Sequence, residues 1–300
     1  MVRTLKPSEL DDYHFRDSGW QPVRTAVHSL FHINRIEDLH GKLQFPILPH
    51  RKTLCDFLFL TNGHTKRSKG LNEYVFSANT FFFLPAYQIS THESMSADAT
   101  GFFYHFDLSV IEQIFPNNSL LGDCPFLQPS GEPLVAIEPA FVKPLTTILE
   151  RLEQEYVQPQ PADLSIVAVY LMALIIELKQ LIQPPVAAKK NAAFRITQSY
   201  KNALTQHIYK KQHVTDYADL LAVTPDHLNK YVRTTTGKSA QDLLMDMLLL
   251  EAKVLLHQTQ LPISEIAFKL SEKSPSDFSR FFKTKTGLTP KQYKQLTASL

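Results

Sequence analysis

The chain has 300 residues, enough for about two domains, and its 44% hydrophobic and 20% charged residues are typical of a folded globular protein rather than a disordered one. Two isolated cysteines, Cys55 and Cys124, exclude a disulfide framework and a cysteine-rich zinc site, and no secretion signal or long apolar run is evident, so we expect a cytoplasmic protein with no membrane partner. Residues 189–300 carry 17 Lys and Arg against 9 Asp and Glu, whereas residues 1–188 carry 14 against 20, which favours a polyanion as the partner of the second part alone.

Four short, aromatic-rich runs in the first half predict β-strands. Each run is bounded by Gly, Pro, Asn or Ser, and their spacing is typical of a sandwich or barrel. The runs are Leu54–Leu60, Leu71–Phe76, Thr80–Leu84 and Gly101–Phe106. The dense Phe content predicts a filled barrel interior, and an aromatic ligand cage is the alternative.

The pattern changes to helix after Asp107. A short helix is predicted near Leu108–Ile114. Two amphipathic helices follow, one after Glu138-Pro139 and one from an N-cap at Asp163 to a stop at Gln183-Pro-Pro185. These two helices either close the end of the barrel or form a dimer seam.

The Pro-Pro brake, the small residues after it and the start of the basic half predict an interdomain linker. We place the first domain at residues 1–183, the linker at 184–192 and the second domain at 193–300. The second domain is predicted to be all helix, with helices near 193–211, 214–221, 225–235, 239–257, 263–270, 275–285 and 290–296.

A helix-turn-helix pattern occurs twice in the second domain. Each first helix has a small residue at the equivalent point, Ala218 or Ala267, which permits close helix crossing. Each second helix begins with an N-cap before proline (Thr224-Pro225, Ser274-Pro275) and ends at Thr-Gly (Thr236-Gly237, Thr286-Gly287). This recurrence is more specific than a single helix-turn-helix match.

The segment between the two units predicts a rigid spacer. Apolar residues recur from Ser239 to about His257, and one helix of that length would span roughly 28 Å. Such a spacer would set the two second helices about one turn of DNA apart, roughly 34 Å, so that both enter successive major grooves.

The second domain resembles the DNA-binding domain of the AraC/XylS family of bacterial transcription regulators. The resemblance covers about a third of the chain. It rests on Val223-Thr-Pro-x-His-Leu-Asn-Lys230, Gly237-Lys-Ser239, Glu251-Ala-Lys-Val-Leu-Leu256, Pro262-Ile-x-Glu-Ile-Ala267 and Phe278-Ser-Arg-Phe-Phe-Lys-x-x-x-Gly-Leu-Thr-Pro-x-x-Tyr-Lys294. Two departures are that Ser271-Glu272 replaces the usual Gly-Phe and Leu248 replaces a usual Arg. The acid at Glu272 predicts weaker phosphate contact at the second unit.

The resemblance implies roles for individual side chains of the second helices. Base-edge readers are expected at Asp226, Asn229 and Lys230 in the first unit and at Ser276, Asp277 and Arg280 in the second. Phosphate contacts are expected at Arg233, Lys238 and Lys283. For each basic side chain the alternative is a solvated helix face, whereas Leu228 and Phe278 are expected to be core.

The first domain is similar to the cupin-like sensor domain that many members of this family carry. The similarity lies in the spacing of Leu54–Thr61, Glu73–Phe76, Phe82–Pro85 and Gly101–Asp107. It implies a small all-β barrel that binds a small-molecule effector, with trailing helices used for dimerisation. Effector contacts are expected from His50, Tyr87, His92 and Tyr104, each of which has a structural or surface role as its alternative.

The family therefore implies a non-enzymatic, sequence-specific regulator that needs no cofactor or metal. Its expected partners are double-stranded promoter DNA, RNA polymerase, an effector and a second copy of the chain, and family tendency favours an activator. One alternative is an effector-independent repressor. The other is a metal-dependent cupin enzyme, which would need converging His ligands, and no His-x-His occurs in the sequence.

Overall fold

The computed structural model describes residues 4–6, 9, 15, 29–116, 119–129, 131–158, 164–182, 192–270 and 274–298. The chain divides into two compact units, Thr4–Val186 and Ala187–Leu300, which are described separately below. Most of the predicted linker, the predicted N-cap at Asp163 and the departure at Ser271-Glu272 lie outside the described residues.

The first unit is built on two antiparallel sheets. The five-stranded sheet has the order β1-β8-β3-β6-β9, and the four-stranded sheet has the order β2-β7-β4-β5. The strands are β1 (Phe31–Arg35), β2 (Ile47–Arg51), β3 (Cys55–Asn62), β4 (His64–Lys69), β5 (Asn72–Ser77), β6 (Thr80–Leu84), β7 (Ile89–Met95), β8 (Thr100–Phe106) and β9 (Leu134–Ala136). All four predicted runs are strands, within one or two residues at each end.

Helices cover the outer face of the five-stranded sheet. They are α1 (Ser109–Glu112), α2 (Ser119–Gly122), α3 (Pro139–Val157) and α4 (Leu164–Leu181). Leu145, Leu149 and Leu152 of α3 join Leu171 and Leu174 of α4 in one buried cluster with the sheet. The two helices therefore close this face of the sheet. Phe141 and Val157 of α3 and Ile166 and Val169 of α4 remain exposed, so a dimer seam stays a prediction.

The sequence predicted that the Phe side chains fill the interior of a barrel. In the structure, most of them lie outside the space between the two sheets. Phe57, Phe59 and Phe81 belong to the cluster between the five-stranded sheet and the helices. The space between the two sheets holds Leu58 and Phe82 instead, with other smaller groups. The expectation was wrong for most Phe residues because this sheet is covered on both faces, so alternate residues of one apolar run enter two different layers.

Helix α4 is also the one helix among the described residues that is long and apolar enough to cross a membrane, with a mean hydropathy of 1.9. Length and composition are the whole of that finding, and buried core helices share both properties. Seven residues of α4 are buried in the unit, among them Leu171, Leu174 and Leu178.

The second unit is all helix, as predicted. Its helices are α5 (Ala192–His207), α6 (Val214–Leu220), α7 (Pro225–Thr236), α8 (Ala240–Gln258), α9 (Ile263–Leu270), α10 (Pro275–Thr286) and α11 (Pro290–Ala298). The helix ends agree with the predicted ends within four residues. The predicted fold class, a β domain with trailing helices followed by an all-α domain with two helix-turn-helix units, is confirmed.

Candidate nucleic-acid interface

Helices α7 and α10 have the same length and the same ends. Each has 12 residues and begins with proline after an N-cap, Thr224 or Ser274, whose hydroxyl accepts the backbone N–H three residues later at 3.2 Å. Each ends at a left-handed glycine, Gly237 (φ 74°) or Gly287 (φ 78°), which donates to a carbonyl of the last turn. Because the caps match at both ends, residues at equivalent positions of the two helices can be compared one by one.

One face of each helix is buried. Leu228 and Val232 are fully buried in the first unit, and Phe278 and Phe282 occupy the same positions in the second. The prediction that Leu228 and Phe278 are core is confirmed. With the inward face settled, the outward face follows from helical periodicity.

The outward faces expose matching positions. The exposed set is Asp226, His227, Lys230 and Arg233 on α7, and Ser276, Asp277, Arg280 and Lys283 on α10. Seven of these eight residues were predicted to contact DNA. The exception is His227, which aligns with the predicted Asp277, so a residue-by-residue comparison of the two units would have found it.

Four basic side chains on these faces remain available to an outside partner. Lys230, Arg233, Arg280 and Lys283 are exposed, and within the described ranges no ion pair engages them. Backbone N–H groups and the positive dipole end lie at the N-terminus of each helix. A polyanion with grooves that admit a helix matches this combination of features.

Asn229 is placed differently from the prediction. Its side chain is half-buried, and its Oδ1 accepts the backbone N–H of Ala240 at 3.1 Å, where α8 begins. Bidentate reading of adenine needs both the amide oxygen and the amide NH₂. The oxygen already accepts one hydrogen bond inside the protein, so Asn229 links α7 to the start of α8, and its contact with DNA stays a prediction.

Two further predicted residues also have partners inside the protein. The hydroxyl of Ser274 donates to Oδ2 of Asp277 at 2.8 Å, so this carboxylate supports the helix cap. The ammonium of Lys238 lies 2.7 Å from Oδ2 of Asp246, on a largely exposed surface. DNA contact by Asp277 and Lys238 stays a prediction. Each side chain would have to share or give up its internal partner in order to bind DNA.

Helix α8 joins the two units as one element of 19 residues. Its N-terminus carries a capping box of Ser239 and Asp242, and Leu248 is buried where the family has Arg. Glu251 is fully buried and accepts from the hydroxyl of Tyr209 at 2.6 Å. A continuous buried helix is a rigid spacer, and the separation it sets between α7 and α10 stays a prediction.

Of the four residues nominated for effector binding, the structure brings two together. His50 and His92 line a cavity between the two sheets of the first unit. Tyr104 is fully buried on the other face of the five-stranded sheet, where it stacks on Phe57 with ring centroids 4.6 Å apart. Tyr87 is 58% exposed in a turn. Neither tyrosine reaches the cavity, because each lies on a different surface of the sheets.

The alternative function, a metal-dependent cupin enzyme, requires a metal centre. Among the residues that the structure describes, no group of three or more His, Cys, Asp or Glu side chains is arranged to hold a metal ion.

Residues 217–296 match the family model described as a helix-turn-helix domain. The chain is 26% identical over 88 residues to a Bacillus subtilis (strain 168) protein named "Uncharacterized HTH-type transcriptional regulator YobQ", and the match spans 29% of this chain and 36% of that protein. The chain thus covers about a third of the curated relative's length.

Solved structures are also similar to this chain. The C-terminal domain of AraT, a response regulator from Geobacillus stearothermophilus, is 27% identical with a TM-score of 0.33 and covers 35% of this chain and 88% of its own. ToxT from Vibrio cholerae is 16% identical with a TM-score of 0.39 and covers 88% of this chain and 98% of its own.

Proposed function

We propose that the protein is a sequence-specific transcription regulator of the AraC type that inserts α7 and α10 into successive major grooves of its operator. The match of residues 217–296 to a helix-turn-helix domain supports this proposal. One observation carries the proposal: two helices with matching caps expose the same positions, and at these positions each helix has two basic side chains that no described carboxylate pairs. Lys230 and Arg280 read base edges, while Arg233 and Lys283 hold phosphates.

The first unit supplies control in this proposal. A small-molecule effector enters the β domain and changes how the DNA-binding unit is presented. The regulator is cytoplasmic and activates transcription through contact with RNA polymerase, and it binds as a homodimer. An effector-independent repressor is the second candidate, since activation and repression depend on promoter geometry that lies outside the chain.

Selection of bound duplexes from a random library tests the proposal. Full-length protein should enrich two short elements about one helical turn apart, since roughly 34 Å separates successive major grooves on one side of DNA. The Lys230→Ala/Arg280→Ala double variant should enrich neither element. Lys210→Ala, which changes an exposed lysine on neither helix, is the matched control and should enrich both.

The outcomes separate the candidates. Enrichment of the paired motif only when effector is supplied favours control by the first unit. Equal enrichment with and without small molecules favours the effector-independent repressor. If wild-type protein enriches no sequence at moderate salt under either condition, the regulator proposal is wrong.

A further inference from the structure

Helices α7 and α10 differ in how they present a carboxylate. Asp277 is the third residue of α10, and its Oδ2 accepts a hydrogen bond of 2.8 Å from the hydroxyl of Ser274, the N-cap. Asp226 is the second residue of α7, where the N-cap Thr224 accepts the backbone N–H of His227. The carboxylate of Asp277 is therefore engaged with its own helix, and no such bond holds that of Asp226 among the described residues.

Asp226 lies one helix turn before Lys230, and both residues are exposed. A carboxylate four residues before an ammonium is well placed for an ion pair on a helix, and Glu265 and Lys269 of α9 pair in this way at 3.8 Å. Asp226 and Lys230 form no such pair, and within the described part of the chain neither side chain has another ionic or hydrogen-bond partner. This face of α7 therefore presents one acceptor and one donor that are both open to an outside partner.

The edges of the bases in the major groove match such a pair of side chains. Cytosine presents its N4 amino group, which donates to a carboxylate, and guanine presents O6 and N7, which accept from a lysine. Thymine presents the acceptor O4, and both purines present the acceptor N7, which repels a carboxylate. Cytosine is the one base of the four that offers a donor without an acceptor beside it.

The spacing of the two side chains limits how far apart their bases can be. Cβ atoms one helix turn apart are separated by about 6 Å, and successive base pairs rise by about 3.4 Å. Asp226 and Lys230 can therefore reach the two bases of one pair, or bases at most about two pairs apart.

Because an unengaged carboxylate stands beside an unengaged ammonium on the exposed face of α7, we propose that Asp226 selects cytosine within two base pairs of the guanine that Lys230 contacts. This inference rests on the proposed regulator function and specifies part of the operator sequence. The aligned pair of α10 is Ser276 and Arg280. A hydroxyl both donates and accepts, so Ser276 imposes no such selection.

The same carboxylate also works against binding to other sequences. Its repulsion from the DNA phosphates acts on every duplex, whereas its hydrogen bond forms only where cytosine stands opposite. Asp226 therefore lowers the affinity for unrelated DNA and raises the ratio of specific to non-specific binding.

Substitution of Asp226 in the full-length protein tests the proposal on the selected operator, with each base pair of the α7 element replaced in turn. Wild-type protein should lose roughly 5- to 150-fold in affinity when the cytosine is replaced. Asp226→Asn should move the preference from cytosine to adenine at that base pair, because an amide matches the N6 and N7 of adenine. An unchanged preference for cytosine in this variant would overturn the proposal.

A second variant tests the repulsive role. Asp226→Ala should show no preference at the same base pair and should bind an unrelated duplex more tightly than wild type does. Lys230→Ala should lose its preference at a guanine no more than two base pairs away. Loss at a more distant base pair would contradict the paired reading.

The matched control is Asp219→Asn, which makes the same change of charge at an exposed residue of α6 in the same unit. It should leave the preference at every base pair as in wild type. A shift from cytosine to adenine in this control as well would show that a general change of charge is responsible, which would refute the role of Asp226.

Thermal unfolding of Asp226→Ala separates base reading from a purely structural role, because an acidic side chain in the first turn also stabilises a helix. A lower melting temperature together with an unchanged preference for cytosine would assign Asp226 to the helix alone and refute the inference. Lost preference at a melting temperature close to that of wild type supports it.

The wild-type data distinguish failure of this inference from failure of the proposed function. Protein that enriches two elements but shows no cytosine beside the guanine of the α7 element refutes only the role of Asp226. Protein that enriches no sequence refutes the regulator function and the inference with it.

Discussion

The two helix-turn-helix units have the same caps but are attached to the next helix in different ways. In the first unit, Asn229 accepts the backbone N–H of Ala240, the first residue of α8. The aligned residue of the second unit, Ser279, donates instead to the carbonyl of Pro275 within its own helix. The reason lies in the next helix: α11 begins with Pro290, which has no N–H to satisfy. A repeated helix end therefore does not imply a repeated joint.

The exposed ends of the two recognition helices also differ in charge. Lys285 stands on α10 where α7 has Thr235, so the last two turns of α10 expose Arg280, Lys283 and Lys285. The sequence had predicted weaker phosphate contact at the second unit on the basis of Glu272, which lies outside the described residues. The described charges favour the opposite order.

The largest expected effect tests which helix reads more of the sequence. Lys230→Ala and Arg280→Ala should each weaken operator binding by about 1–3 kcal/mol in a base-dependent way. Arg280→Ala should lose more, because a guanidinium binds guanine with two hydrogen bonds in a fixed plane. Titration of operators with single base changes checks this. A uniform loss across all sequences would make the residue a phosphate contact.

Removal of the side chain at position 229 should destabilise the first unit, whereas removal of the aligned side chain at position 279 should have little effect on the second. Asn229→Ala leaves the N–H of Ala240 without its acceptor and should cost about 1–3 kcal/mol of unfolding free energy. Ser279→Ala should change it by less than about 0.5 kcal/mol. Urea unfolding measures the loss, and hydrogen exchange at the start of α8 assigns it to the joint.

A double variant sharpens the same test. Ala240→Pro removes the N–H that Asn229 satisfies, and proline is well tolerated at the first position of a helix. In the Ala240→Pro background, Asn229→Ala should therefore cost less than about 0.5 kcal/mol. An undiminished cost would show that Asn229 stabilises the unit through some other contact.

The caps should behave alike in both units, which is a check on their equivalence. Thr224→Ala and Ser274→Ala should each cost about 1 kcal/mol of unfolding free energy, because each removes the acceptor of one helix N–H. Ser274→Ala should cost slightly more, since the hydroxyl of Ser274 also binds Asp277. Thermal or urea unfolding followed by circular dichroism measures both, and a cost confined to one unit would contradict the equivalence.

The smallest effect concerns phosphate contacts. Lys283→Ala should reduce the slope of log affinity against log salt concentration by about 0.9. Lys238→Ala should reduce it less, because the ammonium of Lys238 already lies 2.7 Å from Asp246. Operator titrations at several salt concentrations measure the slopes, and a full reduction in Lys238→Ala would show that DNA displaces Asp246.

The features that could be predicted best from the sequence are those set by residues close together in the chain. Proline, glycine and hydroxyl caps act within one helix turn, so the ends of α7 and α10 could be predicted to within one residue. Strands β4 and β7 could not, because His64–Lys69 and Ile89–Met95 are too polar to show an apolar alternation. They are strands through pairing with each other and with their neighbours.

The site residues divide in the same way: local sequence predicts some of them, and contacts between distant parts of the chain determine the others. The exposed face of α10 follows from periodicity, whereas the joint role of Asn229 depends on an N–H that lies 11 residues further along the chain. Arg67, which lines the cavity with His50 and His92, gave no signal, because an arginine in a polar segment is usually on the surface. Only the packing of one sheet on the other buries it, and that packing is not written in the local sequence.

The proline at the start of α11 has a consequence for how the operator preference of such a protein changes over generations. Position 229 is constrained, because most replacements sacrifice the acceptor that holds the following helix. Position 279 is not constrained in this way, because Pro290 has no backbone N–H that needs an acceptor. Substitutions can therefore accumulate at one more position of α10 than of α7, and under the proposed function new target sites should be reached more readily through changes in α10.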